Sequence, residues 1–178
     1  MRAFLQGKQI YLRALTLSDV TQTYTDWLND EVACRYNSHH RFPNTIEKTR
    51  EYVEYINNSR EYITLAICEN ETNKHLGNVS LQSINFIDSN AEFAILIGET
   101  SLHVKGIGTE AAKLIINHAF DALNIHRIYC GTSSENIAMQ KLAIKAGFVQ
   151  EGISRDALFK NGKYVDTIHY GLINPKHV

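Results

Sequence analysis

The sequence predicts an α+β fold: one mixed, mostly antiparallel sheet of about seven strands with helices on both of its faces. Three observations carry this. The middle of the chain alternates apolar and polar residues with period two. The final third switches repeatedly between strand and helix patterns. No repeat, proline-rich linker or charge block divides the 178 residues, which include only two prolines. A chain of this length is most simply built on one core, so residues 1–178 are read as a single domain.

Ile10-Tyr11-Leu12 reads as a short opening strand. Ser18 is the candidate N-cap of a helix that places Val20, Tyr24, Trp27 and Leu28 on one face. Thr45 caps a second helix, with Ile46, Thr49, Val53 and Ile56 at helical spacing. Ile63, Leu65 and Ile67 alternate with Thr64, Ala66 and Cys68, the pattern of a strand. After the turn at Glu71–Lys74, Leu76 to Ile87 and then Phe93, Ile95 and Ile97 continue as an antiparallel meander. Gly106 to Leu123 is helical, with Ala112, Ile116, Ala119, Phe120 and Leu123 along one stripe. The strand from His126 to Gly131 can lie parallel to the strand before that helix, through a right-handed crossover. Asn136 to Ala146 forms a last helix, closed by Gly147. Two strands, near Phe148–Ser154 and Tyr164–Leu172, finish the chain around an Asn161-Gly162 turn.

Composition excludes several classes of function. Lysine and arginine number 18 against 19 acids, a formal net charge of −1. A near-neutral chain has no whole-surface grip on nucleic acid. No apolar run approaches the roughly 18–20 residues of a membrane span, and Met1–Leu12 lacks the apolar core of a secretory signal. Cys34, Cys68 and Cys130 are odd in number and fit no C-x-x-C pattern. That speaks against a disulfide framework and a zinc site, and for a reducing cytoplasm. No His/Cys/acid spacing suggests a metal.

The most informative stretch is His103-Val104-Lys105-Gly106-Ile107-Gly108-Thr109, between an apolar strand and an amphipathic helix. Gly106 and Gly108 let the backbone approach a ligand closely, since no Cβ intervenes. The first amides of a helix lack intrahelical partners and lie at the positive end of its dipole, so they suit a pyrophosphate. Lys105 adds a full charge. The plain alternative is a tight strand-to-helix turn.

In its context this stretch resembles the acyl-CoA loop of the GCN5-related N-acetyltransferases, the GNAT family, whose pattern is Q/R-x-x-G-x-G/A. His103 stands where the family usually has Gln or Arg. Asn136 through Phe148 is similar to the family's Asn-helix-Gly-Phe segment. Tyr11-Leu12-Arg13-Ala14-Leu15-Thr16-Leu17-Ser18-Asp19 resembles the LRP-x-x-x-x-D opening of the ribosomal-protein N-acetyltransferase branch. Tyr24–Val32, Gly77-Asn78-Val79, Ile97–Thr100, Glu151-Gly152 and Asn161–Asp166 look like bacterial amino-sugar N-acetyltransferases.

The resemblance implies acetyl-CoA as co-substrate and no metal. His103 to Thr109 would hold the pyrophosphate, Val104 and Ile107 included. Ile95, Leu96 and Ile97 would pair by backbone with the pantetheine arm, and Asn136 would cap its helix and touch the same arm. Glu92 matches the acid of the ribosomal branch and is the candidate base for the acceptor ammonium. The position of the usual acid, a tyrosine, is Ala143, and the serine of the ribosomal branch falls at Met139. Neither donates a proton, which leaves Ser134, Tyr129, Cys130 or water.

The acceptor implied is a small-molecule primary amine, foremost a nucleotide-linked amino sugar, with Arg35, Arg41 and Lys160 placed to meet its phosphate. The alternatives are a protein N-terminal (ribosomal-type) or polyamine acetyltransferase and, in another class, a non-catalytic acyl-CoA-binding module. Nucleic acid and membrane are not expected as partners, and a homodimer is left open. His39-His40 reads as solvated, and Trp27 with Tyr24 as core.

Overall fold

The computed structural model describes residues 2–98 and 106–177. Along the chain run β1 (Leu5–Gln6), β2 (Ile10–Ala14), α1 (Gln22–Asn29), α2 (Ile46–Asn58), β3 (Ile63–Glu69), β4 (His75–Asn85) and β5 (Asn90–Ile97). Then follow α3 (Ile107–Ala122), β6 (Arg127–Ser133), α4 (Ile137–Ala146), β7 (Val149–Lys160) and β8 (Lys163–Ile173). The strands form one eight-stranded sheet in the order β1-β2-β3-β4-β5-β6-β8-β7. Its neighbours are antiparallel except β5 and β6, which α3 connects as a parallel pair.

Period two divides the sheet into its faces. Leu65 and Ile67 of β3, Val79 and Leu81 of β4, and Ala91 and Phe93 of β5 point to the side covered by α3 and α4. There they meet Ile107, Ala111, Ile115 and Ala119 of α3. Ala66 and Cys68 point the other way, into a second cluster with Tyr24, Trp27 and Leu28 of α1 and Val53 and Ile56 of α2. Trp27 and Tyr24 are therefore core residues, as expected. Helices lie on both faces because each side of the meander carries its own apolar stripe.

Three local outcomes differ from expectation. An eighth strand exists because Leu5–Gln6 pairs with Tyr11 and Leu12 across a tight turn; two residues are too few to display a period. The first helix begins at Gln22 under a Thr21 cap, the Tyr24 N–H donating to Thr21 Oγ1 at 3.3 Å, rather than at Ser18. Leu17–Asp19 instead makes a 3₁₀ turn, held by the Thr16 N–H donating to Asp19 Oδ2 at 2.8 Å. That carboxylate also receives both Arg13 Nη atoms, at 2.6 and 2.7 Å, so the two marked residues of the LRP-x-x-x-x-D-like opening are partners in one nearly buried ion pair. Finally, β7 extends well past its expected end at Ser154, to Lys160, because Asn161 (φ 50) and Gly162 (φ 79) make the tight turn a long hairpin needs.

The α2 and α4 termini follow the sequence closely. The Lys48 N–H donates to the Thr45 hydroxyl at 3.2 Å. Gly147 ends α4 with φ 100, and the Phe148 N–H donates to Ala143 O at 3.0 Å, which closes the helix in a left-handed cap.

Candidate active site

The site begins where the sheet stops being continuous. β5 is paired with β4 nearly along its whole length, from Asn90 to Ile97. With β6 it is paired only at Asn90–Arg127, Ala91–Ile128 and Glu92–Tyr129. Beyond that seam both strands continue, β5 to Ile97 and β6 to Ser133, with β6 held by β8 on its far side. Their facing edges diverge and leave the β6-facing backbone donors and acceptors of Phe93–Ile97 without a partner among the described strands. Buried main-chain groups demand partners, so this open edge suits a ligand with amides of its own. Ile95, Leu96 and Ile97 lie on it.

The start of α3 stands over the same opening. Gly106 is its N-cap, with φ 76, and it offers no side chain to occupy the first amides of the helix. A Cβ on Gly108 would lie 3.0 Å from Leu142 Cδ1 and 3.8 Å from Ile95 Cδ1, so this turn packs between α4 and β5. Ile107 is buried and Thr109 half-buried. Gly106 faces open space, whereas Gly108 is needed for the fit of two helices as well. His103, Val104 and Lys105 lie outside the described residues.

On the α1–α2 face, a cavity of about 270 Å³ opens beside β4 and β5. It is walled by Tyr24, Tyr52, Thr64, Ser80 and Gln82, with Ala94 to Leu96 at its floor. Thr64 Oγ1 is a buried side-chain oxygen with no hydrogen-bond partner among the described residues, so the cavity presents an unused polar group. Burial raises the Tyr24 phenol well above its ordinary value and raises the Tyr52 phenol as well, so both stay protonated. His75 Nε2 donates toward Gly77 O at 3.0 Å and Asn78 Oδ1 at 2.9 Å, and its ring packs edge-on against Trp27 and Tyr24. Burial lowers the His75 pKa, which keeps the ring neutral in this role.

Glu92 shares the α1–α2 face with Ala94 and Leu96, since Ala91 and Phe93 belong to the opposite core. It pairs in register with Gln82 of the cavity wall and with Tyr129, which places it at the point where the seam ends. Tyr129 and Cys130 are raised by burial first and by the Glu92 charge second, Cys130 up to about 12. Asn136 caps α4, its Oδ1 accepting from the Met139 N–H at 3.1 Å.

A model of the acetyltransferase (GNAT) domain matches residues 9–149 of the chain. The chain belongs to the GNAT family. A probable N-acetyltransferase of Bacillus subtilis, YjcK, is 28% identical over 96% of this chain and 97% of its own. The spermidine N(1)-acetyltransferase of Escherichia coli K12 is 30% identical over 79% of this chain and 73% of its own. Among solved structures, the spermidine N-acetyltransferase from Vibrio cholerae, crystallised with CoA and spermine, superimposes with a TM-score of 0.86. It is 25% identical and covers 96% of this chain and 99% of its own. The ribosomal L7/L12 α-N-protein acetyltransferase RimL in complex with CoA has the same fold, at a TM-score of 0.84 and 22% identity over 94% and 95% of the two chains. The chain is an N-acetyltransferase.

Within this GNAT frame, the position of the usual tyrosine is Ala143, which is fully buried in the core with residues of α3. Cys130 also belongs to that core, and its raised pKa makes it a poor source of thiolate. Cys34 and Cys68 are buried thiols as well. Glu110, in the GNAT loop-to-helix segment, accepts from the Lys8 and Gln9 N–H groups and ties the β1–β2 turn to α3. Among the described residues no group of three or more His, Cys, Asp or Glu side chains is placed to hold a metal.

Sequence reasoning missed the cavity walled by Tyr52, Thr64, Ser80 and Gln82. Thr64, Ser80 and Gln82 are the polar alternates of strands read only for their apolar face, and that alternation was the available signal.

Proposed function

We propose that this protein transfers an acetyl group from acetyl-CoA to the primary amine of a small molecule by direct attack. The observation that carries this is the diverging β5 and β6 edges beside the uncapped start of α3. Acetyl-CoA supplies an activated acyl group, and its thiolate leaves as the amide forms. The unpaired edge at Ile95–Ile97 holds the pantetheine amides, and main-chain N–H groups near Ile97 polarise the thioester carbonyl. The first amides of α3, from Gly106 to Thr109, meet the pyrophosphate together with His103, Val104 and Lys105. Asn136 fixes the start of α4 beside the arm. Glu92 takes the ammonium proton, directly or through water, before attack. The thiolate takes its proton from water, because Ala143 cannot supply one.

For the acceptor, the spermidine acetyltransferases of Escherichia coli and Vibrio cholerae favour a polyamine, whereas RimL acts on a ribosomal protein. The nucleotide-linked amino sugar expected from the sequence has no counterpart among them. A second reading, an amine that also bears an anionic group, is favoured by the charges that line the acceptor side. We place the reaction in the cytoplasm, where a reducing pool leaves the three free, buried cysteines intact. No described helix is long and apolar enough to cross a membrane.

The test is acetyl-CoA-dependent thiol release over a panel of spermidine, amino sugars, amino-sugar nucleotides and N-terminal peptides. Release with a small amine supports the proposal. Acetyl-CoA binding without release by any amine would replace it with a non-catalytic module. Sedimentation of the same sample settles whether the chain works as a homodimer.

A further inference from the structure

We infer that a second cavity, bordered by Arg35, Arg41 and Lys160, binds an oxyanion (a phosphate or a carboxylate) carried on the acceptor molecule. This rests on the proposed acetyl transfer and names the class of its acceptor. The cavity holds about 360 Å³ between the α1–α2 connection and the β7–β8 hairpin, within the usual range for ligand pockets. Arg41 Nη2 donates to Phe159 O at 3.5 Å, and Lys160 Nζ donates to Asn37 O, so the two loops are tied together by cations.

Both of those partners are neutral carbonyls. Arg13, Arg127, Arg155, Lys163 and Lys176 each have a carboxylate partner. None of the ion pairs among the described residues includes Arg35, Arg41 or Lys160. Gathering unneutralised like charges is unfavourable, and a bound anion removes that cost. The strain is visible at Lys160, whose pKa is lowered by burial and then by Arg41.

The cavity adjoins the acceptor pocket. Asn37 and His39 line one, His40 and Arg41 the other, all from one stretch of connection. Among the described residues the two linings together carry Arg35, Arg41, Lys48 and Lys160 against the single carboxylate of Glu31. A polyammonium chain would meet repulsion there, whereas an amine with an anionic tail would seat its nitrogen near Glu92 and its oxyanion among the guanidinium groups.

Steady-state thiol release with ω-aminoalkyl phosphates of increasing length, each against the matching aminoalcohol, tests this. At the length that spans the two cavities, the phosphate should raise kcat/KM by about tenfold to a hundredfold. The preference should collapse in the double variant R41Q/K160Q, whose melting in saturating CoA verifies that it is folded. No preference at any length, or a preference that survives in the variant, overturns the inference. Calorimetry on CoA-saturated protein, in which CoA already fills its own phosphate site, separates the sources. If inorganic phosphate binds while no aminoalkyl phosphate is preferred, the site takes a free anion and the acceptor assignment is wrong. If no amine releases thiol, the transfer proposal has failed by itself. Aminohexyl phosphate binding that is abolished in R41Q/K160Q then still supports the anion site, and the absence of heat refutes it.

Discussion

Gly108 and Leu142 stand so close that a Cβ on the glycine would lie 3.0 Å from Leu142 Cδ1, so the first turn of α3 rests directly on α4. The loop's two glycines therefore do different work. Gly108→Val must displace Leu142 and should cost about 1–3 kcal/mol of stability, as overpacking does. Gly106→Val meets nothing within 4 Å, but it must hold φ 76, a conformation that costs a β-branched residue on the order of 1–3 kcal/mol. Both should weaken acetyl-CoA binding. Urea denaturation with and without CoA separates the two effects: if both valine variants bind CoA normally, this loop is a simple turn.

The Arg13–Asp19 pair predicts how the fold responds to acid. Burial alone would raise Asp19, but hydrogen bonds from Arg13 and Thr16 outweigh it and hold the carboxyl below its usual range. Its folded pKa is thus lower than its unfolded one. The stabilisation is fully present above the unfolded value, about 3.9, and is lost as pH falls through the lower folded value. Asp19→Asn should cost about 3 kcal/mol at pH 7, because it leaves Arg13 nearly buried and unpaired. Melting curves of the two proteins from pH 7 to pH 2 should converge at the acid end; curves that coincide throughout would show that the pair contributes nothing.

Glu92→Gln should slow turnover with a primary amine by on the order of 10²–10⁴-fold and leave acetyl-CoA affinity nearly unchanged. Glutamine keeps the shape and hydrogen bonding but cannot take a proton at neutral pH. The deficit should narrow as pH rises toward the pKa of the amine, where neutral acceptor forms without help. An equal rate in both proteins from pH 6 to pH 9 would assign the proton to water.

Thr64→Val removes the orphaned hydroxyl at nearly constant volume. A buried oxygen without a partner is a cost to the free protein, so the variant should melt no lower than the parent. With the acceptor bound, the lost hydrogen bond should raise its KM by about tenfold. A lower melting point with an unchanged KM would show that Thr64 serves the fold rather than the ligand.

Much of this molecule was legible in its alternation of residues. Ile63, Leu65 and Ile67 against Thr64, Ala66 and Cys68 announced a strand with two distinct faces, the helices at Ile46 and Ile137 followed from their caps, and the one at Ile107 from its apolar stripe. Ser18 misled because Arg13, six residues before Asp19, draws that acid into an ion pair and a 3₁₀ turn; a cap preference is weaker than a buried charge pair. The acceptor walls were not legible as a site, since Tyr52, Thr64 and Gln82 come from three separate elements and meet only in the folded sheet. Likewise Ala143 could be recognised as a missing acid, but not as a fully buried contact. Tyrosine there should overpack the α3–α4 core rather than restore a proton donor.

The diverging edge of β5 also bears on how such a protein drifts over time. Its hydrogen-bonding groups are main chain, so replacing one side chain by another along Phe93–Ile97 leaves every donor and acceptor in place. Proline is the exception, because it alone deletes an N–H. The strand edge proposed to hold the donor is therefore nearly indifferent to the identity of its own residues, whereas the proposed acceptor walls are written in side chains such as Thr64, Arg41 and Lys160. Lineages can exchange one amine for another by substitutions on a few loops and strand faces while the edge persists unchanged beneath them.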